Sequence, residues 1–402
     1  MHPLIEAMLL QSGYNAALVA VGACLLGVAA GASGAFLFLR KRALVSDAIA
    51  HATLPGVGIA FLVMVMMGSD GRNLIGLLTG SAISAAFGLW IVDWITRRTR
   101  LAEDAAIGAV LSVFFGFGIV LLTIIQTMSS GRQAGLESFL LGSTAGMLYQ
   151  DALVISIGGA IALAVVFVFR RPMTLVAFDA DYAATLGVNV RATDFVMMGL
   201  ALGVTVIGLK IVGLILVVAL LIIPAVTARF WTERTGQVIW IAGLLGGFAG
   251  YLGAAISATA PSLPTGPIIV LVAASLFALS LLFAPNRGVL AALIRHRRFQ
   301  TRVHRRQGLL AMARSEPIFD PLTLSILKRD ALLRDDFVPT EDGKAQAAKA
   351  LRDEKRWEIA RKNHQYEAAV SRFDGLTPIE DVLTSDEISD IDTEIGPPAA
   401  VF

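Results

Sequence analysis

Between residues 14 and 284 the chain repeats one pattern: an apolar run long enough to cross hydrocarbon, closed by a short polar or basic stretch, then another such run. Crossing takes about 20 mostly apolar residues in a helix. No water reaches the backbone there, so each N–H and C=O must be satisfied inside its own segment, and such a run can only be helical. Nine runs fit, at 14–39, 43–67, 74–95, 105–127, 151–169, 194–209, 211–229, 237–258 and 267–284. The expected fold class is therefore an all-α polytopic membrane protein with about nine transmembrane helices. A small, mostly helical cytoplasmic C-terminal domain follows them. Only Lys210 separates the sixth run from the seventh, so eight spans result if 194–230 is one bent helix pair or if an early segment is re-entrant. Residues 136–148 are too short to span and are expected at the outer face or as a re-entrant segment.

Charge divides the chain and orients it. Residues 1–284 hold 14 of the 33 Lys and Arg and 12 of the 31 Asp and Glu; the remaining 118 residues hold 19 of each. The chain is read as a transmembrane domain over 1–284, a basic juxtamembrane linker over 285–306 and a cytoplasmic helical domain over 307–402. Alternate loops carry Arg40, Lys41 and Arg42, then Arg97, Arg98 and Arg100, then Arg170, Arg171 and Arg191, then Arg229 and Arg234. The other loops carry only Arg72, Arg132 and Lys210. Cations are retained on the cytoplasmic side, so the N-terminus is expected outside and the tail inside, in the bacterial inner membrane. The opening residues lack the basic stretch and cleavage site of a removable signal peptide. A single cysteine, Cys24, excludes a disulfide framework and a thiolate cluster.

Against this background the stretch 40–58, RKRALVSDAIAHATLPGVG, stands out. A charged side chain at membrane depth costs at least about 2.5–3.5 kcal/mol, so it normally faces a cavity, a partner or a pathway. Asp93 has Arg97 four residues on and can pair with it near the interface. Asp47 and His51 are also four apart and share a helix face, about 6 Å and about 12 Å above a start at Ala43. A carboxylate and an imidazole suit Zn²⁺, Mn²⁺ or Fe²⁺. Pro55 lacks an N–H, which frees the His51 carbonyl, and with Gly56 it is expected to break the helix at that level. Spacing alone leaves three readings open: metal ligands, an Asp–His hydrogen bond joining helices, and a proton relay. The glycines of the eighth run, Gly243, Gly246 and Gly250, are read as contacts for close helix packing.

Three stretches resemble one family, the permease subunits of zinc-, manganese- and iron-type ABC importers. RKRALVSDAIAHATLPGVGIAFL (40–62) is similar to its basic cluster followed by Asp-Ala-x-x-His and Leu-Pro-Gly. FDADYAATLGVNV (178–190) resembles its cytoplasmic loop, and VGLILVVALLIIPAVTARFWTER (212–234) one of its spans. The resemblance implies that Asp47 and His51 coordinate the metal in the translocation path. It implies an ATPase-coupling loop made of Phe178, Asp179, Asp181, Ala183, Leu186 and Gly187. The implied partners are cytoplasmic ATP-binding subunits, an extracytoplasmic metal-binding protein and a second permease subunit in a homo- or heterodimer. Independently of the family, Asp179 and Asp181 can cap a short helix that Gly187 ends. No Gly-x-x-x-x-Gly-Lys-Ser/Thr occurs, so ATP hydrolysis is expected on a partner chain and the chain itself is not expected to be an enzyme.

The tail opens with seven arginines and no acid between 287 and 306, a match for anionic lipids; a nucleic-acid partner is not expected. Thr340 before Glu341, Asp342 and Gly343 predicts a helix start. LLRDDFVPTEDGKAQAAKALRDEKRWE and PIEDVLTSDEISDID resemble the winged-helix and dimerisation segments of metal-dependent repressors. Asp381 stands where those carry a histidine ligand, which speaks against metal sensing. The function expected is a permease importing manganese, zinc or iron, with no permanently bound cofactor. The alternatives are a permease for a metal chelate such as a siderophore, and an ion-coupled secondary metal carrier.

Overall fold

A computed structural model describes residues 3–69, 71, 73–127, 149–260 and 263–396. The segment 136–148 discussed above lies outside the described residues. The chain divides into two compact units, Met1–Val289 and Leu290–Phe402.

In the first unit a short helix α1 (Pro3–Met8) precedes α2 (Tyr14–Leu39), α3 (Leu44–Met66), α4 (Leu74–Arg98) and α5 (Glu103–Thr127). After the undescribed stretch come α6 (Tyr149–Phe178), the six-residue α7 (Ala180–Thr185), α8 (Val190–Val212) and α9 (Leu214–Trp231). Then follow α10 (Thr235–Ser257) and α11 (Thr265–Phe283). Eight of these are long and apolar enough to cross a membrane: α2–α6, α8, α10 and α11. The ninth run forms α9, whose 18 residues rise about 27 Å against a hydrocarbon core of about 30 Å. The break between α8 and α9 falls at Gly213, with φ +78°, and not at Lys210. A Cβ on Gly208 would lie 2.5 Å from a Val217 methyl, so the chain folds back on itself about that glycine.

Helix α2 is the centre of the unit and packs against α6, α8, α9 and α10. Its contact with α10 is made backbone to backbone. A Cβ on Gly27 would sit 2.1 Å from the carbonyl oxygen of Gly246, and one on Gly31 2.2 Å from that of Ala242. A Cβ on Gly250 would sit 2.2 Å from the carbonyl oxygen of Ala23. Numbers rise along one helix as they fall along the other, so the two run antiparallel. Gly246 and Gly250 thus hold a close helix contact, as the sequence suggests; small residues substitute for a hydrophobic driving force where the solvent is itself apolar. Arg287 bonds Glu233 at 2.9 Å and the Trp231 indole donates to Ser280 at 2.9 Å, bringing the ends of α9 and α11 together.

The second unit is helical too. The basic run enters α12 (Val289–Ala313), and α13 (Pro321–Arg329), α14 (Glu341–Lys362), α15 (Glu367–Val370) and α16 (Ser385–Ile395) follow. Thr340 caps α14, its hydroxyl accepting from the Gly343 amide at 3.0 Å, at the position expected. Leu309, Leu327, Leu332 and Ala347 make one small core, and Trp357, Ala360, Ile379 and Ile391 another. Arg356 donates to Asp392 at 2.7 Å and holds that carboxyl below the usual carboxylate range. The one bridge described outside helices joins Leu333 to Pro339.

Gly246→Ala is expected to destabilise the protein by on the order of 1–3 kcal/mol, because backbone must move to admit the methyl. Gly108→Ala meets nothing within 4 Å and should be neutral or stabilising by up to about 1 kcal/mol through helix propensity. Thermal unfolding in one detergent compares the two.

Candidate metal centre

Helix α3 carries the polar pair because its start is fixed by the turn before it. The Arg42 carbonyl accepts from the Val45 amide at 3.1 Å, and the Ser46 hydroxyl bonds the Ala43 carbonyl at 2.6 Å. Asp47 then falls in the first turn. One helical turn on, His51 Nε2 lies 3.5 Å from Asp47 Oδ1, with the side chains 22% and 41% exposed respectively. The ring of Phe115, on α5, meets the His51 imidazole edge-on at 5.0 Å between centroids. His51 Nδ1 is buried and has no hydrogen-bond partner among the described residues. Leaving such an atom unsatisfied costs roughly 1–3 kcal/mol, and a ring nitrogen with a free lone pair is the donor a borderline divalent ion takes. The Asp–His contact is made through Nε2 and leaves Nδ1 unused.

Pro55 and Gly56 differ from expectation. Helix α3 runs from Leu44 to Met66 with Pro55 inside it, so there is no break in the chain there. What Pro55 withdraws is one amide, the one that would have bonded the His51 carbonyl. Gly56 is buried in packing: a Cβ there would lie 2.1 Å from the Gly80 carbonyl oxygen on α4. On the other flank a Cβ on Gly118 of α5 would meet Leu54 at 2.6 Å. Helix α3 is thus gripped by α4 and α5 one turn beyond His51, which sets the height and rotation of the pair.

The second candidate group forms a separate element. Asp179 caps α7 by accepting from the Tyr182 amide at 2.9 Å. Asp181 lies in the first turn and is exposed; it does not cap. Leu186 closes the helix and Gly187 follows at φ +81°, a left-handed conformation that favours glycine. Ala183 is fully buried, seating the element in the same core as Met173 and Val176. Phe178, Tyr182 and Leu186 are all exposed and recur every four residues.

Between the two groups lies a set of ion pairs that loop-charge reasoning does not identify. Arg40 bonds Asp194 at 3.3 Å and the Val176 carbonyl at 3.0 Å. Arg42 bonds Glu103 at 2.9 Å and reaches Asp194 at 3.5 Å. The signal available in sequence was an acid shortly after a basic residue of the loop: Glu103 three residues after Arg100, and Asp194 three residues after Arg191. The Asp93–Arg97 pair forms as expected, at 2.7 Å.

Residues 14–284 match the model of the ABC 3 transport family. The chain belongs to that family. It is 43% identical over 310 residues to the manganese transport system membrane protein MntC of Bacillus subtilis, covering 77% of this chain and 70% of that one. It is 39% identical over 298 residues to the zinc transport system membrane protein TroC of Treponema pallidum, covering 74% and 97%. Among solved structures, PsaBC from Streptococcus pneumoniae in complex with Fab superimposes with a TM-score of 0.60 at 30% identity, covering 71% of this chain and 96% of that one. With its family and the eight long apolar helices among its described residues, this is a multi-pass membrane protein.

Proposed function

We propose that the chain is the membrane-spanning permease subunit of an ABC transporter that imports a divalent metal ion, with Asp47 and His51 as the protein's donors in the translocation path. The observation that carries this reading is the pair itself: a carboxylate and an imidazole on one helix face, with a buried ring nitrogen left without a partner among the described residues. The relatives named for manganese and zinc transport support the cargo class. Oxygen and imidazole donors suit Mn²⁺, Zn²⁺ and Fe²⁺ alike, so the ligand types do not rank the three.

Two donors do not complete the shell of such an ion, which takes four or more. No group of three or more His, Cys, Asp or Glu occurs among the described residues of one chain. The pair is also part-exposed, so a second permease subunit, identical or homologous, presents the remaining donors across a shared pore. The end of the bundle carrying the arginine loops faces the cytoplasm, with the start of α2 outside. There α7 docks ATP-binding subunits through Phe178, Tyr182 and Leu186; Asp181 borders that face, and an extracytoplasmic metal-binding protein delivers the ion at the other end. The exposed Val289, Leu290, Leu293 and Ile294 of α12, followed by the stripe Arg295, Arg298 and Arg302, engage anionic lipid headgroups.

In cells carrying the complete transporter, Asp47→Ala and His51→Ala should each lower metal uptake at least tenfold with the protein still in the membrane. Undiminished uptake of manganese, zinc and iron by both variants would overturn the assignment. Tyr182→Asp combined with Leu186→Asp should abolish co-purification of the ATP-binding subunit while leaving the permease folded. For the lipid contact, amide exchange over 289–302 should slow in nanodiscs containing phosphatidylglycerol relative to phosphatidylcholine alone, and Arg295, Arg298 and Arg302→Gln should remove the difference.

A further inference from the structure

The four ionisable side chains between the pair and α7 are more than orientation signals. Retaining a loop in the cytoplasm requires only cations, yet here each arginine is matched to an acid. The matched groups are also withdrawn from solvent: Arg40 and Asp194 are 21% and 14% exposed, Arg42 and Glu103 22% and 28%. Partly desolvated ion pairs add little net adhesion, because desolvation offsets much of their attraction, so adhesion alone does not explain them.

Their connectivity does. Arg40 grips α7 from both sides in the chain: the Val176 carbonyl lies two residues before Phe178, and Asp194 is the fifth residue of α8, just after α7. Arg42, two residues further on, holds Glu103 in the first turn of α5, the helix whose Phe115 rests on His51. The Arg42 carbonyl also starts α3, five residues before Asp47. Lys41 between them has φ +60°, a left-handed turn for a non-glycine residue. Displacement of α7 therefore has a direct route to the helix carrying the metal donors and to the ring against them.

Asp194 is shared. It lies 3.3 Å from Arg40 and 3.5 Å from Arg42. If α7 and α8 shift together, Asp194 keeps Arg40 while Arg42 keeps Glu103, and no charge is left unpaired. The Arg42–Asp194 contact is the longest of the set and the one that opens. Opening one shared contact without orphaning a charge allows two discrete arrangements, which is what a transmitted step requires.

We infer that Arg40, Arg42, Asp194 and Glu103 form a shared-acid tie, opening at Arg42–Asp194, that transmits movement of α7 to the Asp47–His51 helix. The four are positioning residues, and the inference rests on the transport reading above. The test uses the complete transporter in proteoliposomes, with ATP hydrolysis and metal transport measured together. Asp194→Asn should cut metal moved per ATP at least tenfold while ATP hydrolysis stays within about twofold of the parent. Glu103→Gln, which frees Arg42 from α5, should uncouple in the same way. An unchanged metal-to-ATP ratio in Asp194→Asn would overturn the tie, as would one in a folded Glu103→Gln. If Asp194→Asn does not assemble, Glu103→Gln gives the same readout. A parent transporter that moves no metal would remove the transport reading and the tie with it; an active parent with Asp47→Ala inactive and Asp194→Asn fully coupled would remove the tie alone.

Discussion

Hydrocarbon surrounds the outer face of this bundle, so an apolar side chain gains little by leaving it for another helix. What holds the first unit together is close approach of backbones, and the α2–α10 contact shows how much depends on it. Gly27, Gly31, Gly246 and Gly250 have no room for a Cβ, and the antiparallel pair they allow gives α2 the central position against which α6, α8 and α9 pack. The same device recurs at Gly56 and Gly118, where α4 and α5 hold α3. A carboxylate and an imidazole can be carried into the membrane on α3 because the helix is fixed one turn beyond them by contacts that need no polar group.

Much of this was readable in advance, for a physical reason. A lipid solvent permits one kind of spanning segment, so length and hydropathy located the helices to within a few residues, except that the run expected at 151–169 continues as helix to Phe178. The end at Gly213 was missed because Lys210 draws the eye as a charge, whereas the chain reverses where a positive φ is tolerated. Pro55 misled in the opposite sense. Its missing amide is real, but α3 continues through it because flanking helices grip the following turn. Asp47 and His51 were legible because both lie on one helix and four residues is one turn. Phe115 and the Arg40–Asp194 and Arg42–Glu103 pairs were not, since contacts across 61 to 154 residues depend on packing that no local spacing encodes.

On the proposed reading, the incompleteness of the site in one chain suits its task. A transported ion must bind well enough to shed water and loosely enough to leave, and a shell completed by one protein would hold it as a resident. One carboxylate and one imidazole per subunit place half the donors on each side of the pore, so separating the subunits lowers the coordination number directly. The metal's release is then governed by how the two α3 helices stand relative to each other. That is the quantity the ion pairs at the base of α3 are placed to control, since Arg42 starts the helix and Asp194 ties it to α7, whose Phe178, Tyr182 and Leu186 flank or lie on an exposed face.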